Sequence, residues 1–222
     1  STPGRTLFPY TTLFRSATAD PVLAINAVDK KSGREIFKKS HISLTKPIIG
    51  ISVREWREWQ HYKDVLAEVA DEAVTKLNAQ IVFMPMQYPE DVKAAKKIVA
   101  KMKQPACVLK EDFTTRELMS LVGNMDLMIG IRLHALIFAG VMGTPMIGIS
   151  YDPKIDRFLK SIDEDVVGDL ENVTVEALMQ EINAKWNNKE IYRNQNLKRM
   201  AKLRSLARSN AEMALEFIDK NK

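Results

Sequence analysis

Arg132 and His134 stand with only Leu133 between them, where the hydrophobic pattern of the chain changes period. Further on, Lys154 closes the run Ser150-Tyr151-Asp152-Pro153-Lys154. A guanidinium, an imidazole and an ammonium form a set directed at anions. Arginine offers a planar fork that can grip a carboxylate or phosphate through two hydrogen bonds, and lysine adds a point charge. Histidine gives or takes a proton near neutral pH. Together they suit proton transfer to or from a negatively charged substrate. Taken singly, each has a plainer reading: His134 as a cap or satisfied core residue, Arg132 as an ion-pair partner, Lys154 as a solvated loop residue.

The neighbouring sequence supplies a way to bring them together. Leu127 to Ile131 reads as a buried parallel strand, and Leu133 to Met142 suits a buried helix stopped by Gly143-Thr144-Pro145. Met146 to Ser150 is a second apolar run. This is one βαβ unit with its polar residues concentrated where two strands end, and open parallel sheets bind ligands at those carboxyl ends. The first turn of the helix adds unpaired N–H groups and the positive end of a dipole.

The same alternation extends upstream. Pro47 to Val53, Ile81 to Met84 and Ala106 to Leu109 read as strands. Between them lie a helix carrying Val65, Leu66, Val69, Val74 and Leu77, one over Glu90 to Met102, and one over Arg116 to Val122 capped by Thr114-Thr115 and stopped by Gly123-Asn124. The predicted fold class is therefore α/β, a Rossmann-like doubly wound parallel sheet. Earlier strand exits share the rim of His134: Ser52 and Arg54 after the first strand, Gln87 and Asp91 around the second. Ordinary loop polarity is the plainer account of each, and Arg54 stands foremost as a second guanidinium for a phosphate. Trp56 and Trp59 could stack on a sugar ring, but stapling the next helix to the sheet is the simpler reading.

The stretch GIRLHALIFAGVMGTPMIGISYDPKIDRF resembles the signature of the polysaccharide pyruvyl transferase family. The Arg-Leu-His triplet and the Ser-Tyr-Asp-Pro-Lys turn carry the likeness. It implies transfer of pyruvate from phosphoenolpyruvate to a sugar as a ketal, in cell-surface glycan biosynthesis. It implies catalytic roles for Arg132, His134 and Lys154, with Arg132, Leu133, Lys154, Arg54 and Gln87 expected to bind substrate. No metal or cofactor is expected beyond the donor. The resemblance runs from Ala17 to about Lys222 and covers the later half of the family's length, so it implies the C-terminal domain of a two-domain GT-B-type transferase. Two rival classes fit the same residues: a nucleotide-sugar-dependent GT-B glycosyltransferase or epimerase, and a non-catalytic anion- or glycan-binding domain.

Three segments are expected. Within Ser1 to Ser16, the string TLFPYTTLFRS is the in-frame translation of a common sequencing adapter, so this part is set aside. Residues 17–44 read as a loop and short strand to Asn26, then a polar linker from Asp29 to Leu44 with a turn of helix. The family resemblance implies that the Ala-Asp-Pro segment here is the end of a first domain. Residues 45–222 are the Rossmann-like domain, ending in helix from Val175 to Asn221. That tail carries an apolar stripe through Leu178, Ile182, Trp186, Leu197, Met200, Leu203, Ala207, Ala211, Ala214 and Ile218. Lys198, Arg199, Lys202, Arg204 and Arg208 lie mainly off the stripe. They read as a solvated face, or as a contact with anionic lipid that would suit a lipid-linked acceptor. The net charge of +5, or +3 without Arg5 and Arg15, is too small to mark a nucleic-acid binder. Cys107 is the only cysteine, which excludes an intramolecular disulfide and suits the reducing cytoplasm. No apolar run is long enough to span a bilayer, leaving at most peripheral membrane contact.

Overall fold

Uninterrupted apolar runs set the centre of the molecule. Ile48–Ser52 (β1), Leu127–Gly130 (β4) and Met146–Ser150 (β5) are buried at every position, as strands covered on both faces must be. Gln80–Phe83 (β2), Ala106–Val108 (β3) and Val166–Asp169 (β6) complete a parallel sheet of six strands, ordered β3-β2-β1-β4-β5-β6. The order reverses between β1 and β4, so the crevice beyond their carboxyl ends is the switch point of a doubly wound sheet. The structure is a computed structural model and describes residues 20–57 and 59–220. The adapter-like segment, Ser1 to Ser16, lies outside the described residues.

Period-two alternation along the strands feeds two cores. Ile48, Val82 and Met128 face one, while Ile49, Ile51, Ile81, Phe83, Leu127 and Ile129 face the other. The first core is covered by α1 (Lys31–Lys39), α4 (Thr115–Gly123), α5 (Leu133–Met142), α6 (Pro153–Ser161) and α8 (Lys189–Lys220). The second lies under α2 (His61–Leu77), α3 (Glu90–Val99) and α7 (Val175–Asn187). Helix α5 is buried from Ala135 to Met142 and ends at Gly143, whose φ of 74° is a left-handed conformation that glycine adopts without strain.

Some expectations need revision. The stretch read as a polar linker contains a full helix, α1, whose Phe37 is completely buried and whose Gly33 N–H donates to Ser120 Oγ of α4 at 2.8 Å. The short strand expected before Asn26 is instead a 3-10 turn at Pro21–Ala24, begun by the Asp20 carboxylate accepting from Val22 N. The Asp-Pro-Lys turn is itself the start of helix α6, with Asp152 as its N-cap, and a sixth strand follows that helix. The tail is two helices, and its stripe is only partly buried: Met200, Leu203 and Ala207 pack inward, while Leu197 and Ile218 are exposed. Asn221 lies outside the described residues.

Candidate functional site

Helix α5 begins with its donors open. Its N-cap is Arg132, in extended backbone (φ −90°, ψ 123°), and that side chain cannot accept a hydrogen bond. The N-caps of α4, α6 and α7 are Thr114, Asp152 and Thr174, each of which accepts a first-turn N–H, whereas α1, α2 and α3, like α5, begin without a side-chain cap. A helix start without its own acceptor is free to serve an external anion. Ile131 just before it is fixed by its N–H donating to Ser52 O at 2.9 Å.

Two neighbours on the exit of β2 aim Arg132. Its Nη2 donates to Gln87 Oε1 at 3.2 Å, and its Nε lies 3.5 Å from Asp91 Oδ2. Asp91 sits in the first turn of α3, 1% exposed, and the same Oδ2 accepts from Met86 N at 3.0 Å and Gln87 N at 2.8 Å. Its other oxygen has no hydrogen-bond partner. Burial pushes the Asp91 carboxyl above the usual range, although Arg132 and the two N–H groups pull it back. Asp91 therefore lies behind Arg132, gripping the guanidinium from the protein side and leaving its outer edge toward the opening.

The opposite wall is built on aromatics. Arg54 Nη1 donates to Tyr151 Oη at 2.9 Å, and its guanidinium carbon stands 5.4 Å from the Trp56 ring centre and 5.5 Å from that of Tyr151. Those two rings meet at 4.7 Å. Tyr62 Oη fixes the strand exit by donating to Arg54 O at 2.7 Å. Lys154 lies in the first turn of α6, its ammonium 5.9 Å from the Tyr151 ring centre and 3.5 Å from Asp152 Oδ2. The Lys154 backbone N–H, followed by the nearby cations, holds the Asp152 carboxyl below its usual range. His134 is exposed on the rim, 6.3 Å from the Phe138 ring, and its side chain makes no hydrogen bond to the described residues.

The outcome is one recess of about 160 Å³ lined by Arg54, Gln87, Arg132, Leu133, His134, Tyr151 and Lys154. The six residues singled out from the sequence are all present. Tyr151 joins them, and nothing in its spacing marked it: its role comes from a hydrogen bond and ring contacts across the sheet. Asp91, read as loop polarity, proves to be the buried anchor of Arg132. Ser52 is fully buried with its hydroxyl unpartnered and does not line the recess. No group of His, Cys, Asp or Glu able to hold a metal ion occurs among the described residues.

The sequence model of one family, described as polysaccharide pyruvyl transferase, matches residues 16–153, more than half of the chain. No curated protein matches. Solved structures do. A glycosyl transferase of family 9 from Veillonella parvula superposes with a TM-score of 0.56 at 16% identity, over 72% of this chain and 51% of its own. ADP-heptose LPS heptosyltransferase II of E. coli gives 0.57 at 16%, over 73% and 53%. A UDP-GlcNAc 2-epimerase from Neisseria meningitidis, bound to UDP-GlcNAc, gives 0.61 at 12%, over 90% and 55%. At these identities the likeness is one of fold, and the chain spans about half the length of these structures.

Proposed function

The chain belongs to the polysaccharide pyruvyl transferase family, and from that premise we propose that its recess binds phosphoenolpyruvate and passes the pyruvyl group to a sugar as a ketal. The observation that carries this reading is charge placement. Arg54, Arg132 and Lys154 share one small recess with an exposed imidazole, and the nearest buried carboxylate, Asp91, is turned away behind Arg132. A donor with a carboxylate at one end and a phosphate at the other needs several cations, and the open start of α5 supplies N–H donors besides.

In this scheme Arg132 and the α5 N–H groups hold one anionic end, and Lys154 with Arg54 neutralises the other. His134, as imidazolium, protonates the terminal enol carbon, and an oxocarbenium-like centre develops at the adjoining carbon. One sugar hydroxyl adds there and returns its proton to His134. The carbon–oxygen bond to phosphate then breaks, and a second hydroxyl closes the ketal, its proton leaving with inorganic phosphate. The recess residues bind, orient and move the proton, and no metal or further cofactor is called for. The chain would be the C-terminal domain of a two-domain GT-B transferase, formed by residues 45–222 together with the preceding stretch, whose Leu23, Phe37 and Ile42 pack into its core. The first domain would supply the facing wall of the cleft. No helix among the described residues is long and apolar enough to cross a membrane. In this reading the enzyme is cytoplasmic, and its basic tail touches membrane at most peripherally while it serves a lipid-linked glycan.

Calorimetric titration with phosphoenolpyruvate tests the proposal, with saturable binding expected in the native chain and strongly weakened in Arg132→Ala and His134→Ala. Phosphate release in the presence of glycans would then follow in the two-domain enzyme. The fold shared with an epimerase bound to UDP-GlcNAc favours a second reading, a nucleotide-sugar enzyme. UDP-sugar binding without any phosphoenolpyruvate binding would select it. Absence of both, with glycan binding indifferent to Lys154→Ala, would leave a non-catalytic domain.

A further inference from the structure

Beside the cationic recess, beyond the carboxyl ends of β5 and β6, lies a larger groove of about 510 Å³. The two share Tyr151, and the Tyr151–Lys154 segment forms the ridge between them. Their chemistry differs. The recess collects cations, whereas the groove sets four carboxylates, Asp152, Asp156, Asp169 and Glu171, against two cations, Arg157 and Lys160. A phosphate-rich ligand would be repelled there. Trp59, half-buried against the second core, forms a wall with Tyr151. Aromatic faces beside ionised carboxylates suit a ring with an apolar face and a rim of hydroxyl donors. The volume lies within the range of small-molecule sites.

We infer that this groove is the subsite for the acceptor, and that it takes an uncharged sugar ring laid on Trp59 and Tyr151 with its hydroxyls donating to the carboxylates. This deepens the pyruvyl-transfer reading and rests on it for the word acceptor, because a hydroxyl donor seated there lies one side chain from the recess. Two of the carboxylates are pre-set as acceptors. Asp152 takes the Lys154 N–H at 3.0 Å, and Asp169 is held by the Asn172 side chain and by the N–H groups of Glu171 and Asn172. Both are drawn below the usual carboxylate range and stay ionised, Asp152 chiefly by the Lys154 N–H and Asp169 chiefly by the Asn172 amide. From sequence alone Trp59 reads as a packing residue. Its place on the groove wall is the new element.

The test uses the present chain, with methyl β-galactopyranoside and methyl α-mannopyranoside as neutral probes and methyl β-glucuronide as the charged counterpart. Proton–nitrogen NMR resolves the indole signals of the three tryptophans. The neutral glycosides should shift the Trp59 signal and bind more tightly than the glucuronide. Trp59→Ala should weaken them roughly tenfold. Glu171→Gln, an isosteric change at an exposed site, should weaken them in the same direction and covers the case in which Trp59→Ala fails to fold. Neutral glycosides that do not bind, or bind both variants as tightly as the native chain, overturn the inference. Glycosides seated in the groove of a chain that fails to bind phosphoenolpyruvate would uphold the sugar site and sink pyruvyl transfer, so the two failures are distinct.

Discussion

Arg132 is fixed from behind by Asp91 and from the side by Gln87, which leaves its remaining donors facing the recess. A charge-assisted hydrogen-bonded contact is worth about 1.5–3 kcal/mol, so Arg132→Ala should lower phosphoenolpyruvate affinity by roughly 10- to 100-fold. Arg132→Lys keeps the charge without the fork and should fall between the two, as titration calorimetry would reveal. If the lysine variant binds as well as the native chain, bidentate recognition is wrong. Asp91 gives a pH dependence whose sign is fixed. Its folded pKa is raised, chiefly by burial, so its contribution to stability is fully present below the unfolded carboxylate range and is lost as pH rises through the elevated value. Asp91→Asn cannot ionise there. Urea unfolding at a series of pH values should therefore show the variant gaining on the native chain across that window, and a pH-independent difference would refute the burial account.

Helix α5 shows what sequence makes legible. Its bounds, Leu133–Met142, were readable because an apolar run on a helical period meets a glycine–threonine–proline stop, and β5 was readable because it is apolar throughout. The helix start then located Arg132 and His134, and the strand end located Lys154. Helix α1 was not readable, because KSGREIFKK is mostly charged and its buried face is only Gly33 and Phe37. Strand β6 is four residues long with a glycine and an aspartate, too short and polar to stand out. Tyr151 and Asp91 act through partners distant in sequence, which a local pattern does not encode. The docking of α1 yields its own prediction. A Cβ on Gly33 would land within the backbone of Ser120 and Leu121 in α4, which has no flexible end to move aside. Gly33→Ala should cost about 1–3 kcal/mol or more in urea unfolding. In α4 the Thr114 hydroxyl accepts from Glu117 N while the Glu117 carboxylate accepts from Thr114 N, and Thr114→Ala should cost about 1 kcal/mol in the same experiment. Equal midpoints for Gly33→Ala and the native chain would mean that α1 is not seated as described.

At the scale of the whole molecule, a single parallel sheet divides the labour by where its strands end. The ends of β1, β4 and β5 present guanidinium and ammonium groups, with the Gln87 amide beyond β2, and those of β5 and β6 present carboxylates and an aromatic wall. A net positive charge, +3 with Arg5 and Arg15 set aside, lies behind the cationic part, so an anionic ligand is attracted by the molecule as well as by the recess. Mobile ions screen such a field over about 10 Å at 0.1 M salt, and more strongly above that. Affinity for phosphoenolpyruvate should accordingly fall by roughly tenfold between low ionic strength and about 0.5 M salt, mostly through slower association. Arg54→Gln and Lys154→Gln should each flatten that dependence, because each removes one cation from the rim. A neutral glycoside in the neighbouring groove should bind with an affinity that hardly moves over the same range. Stopped-flow association rates and titrations at matched salt concentrations separate these behaviours. A salt dependence equal for both ligands would mean that the charge division along the sheet edge does not govern what binds where.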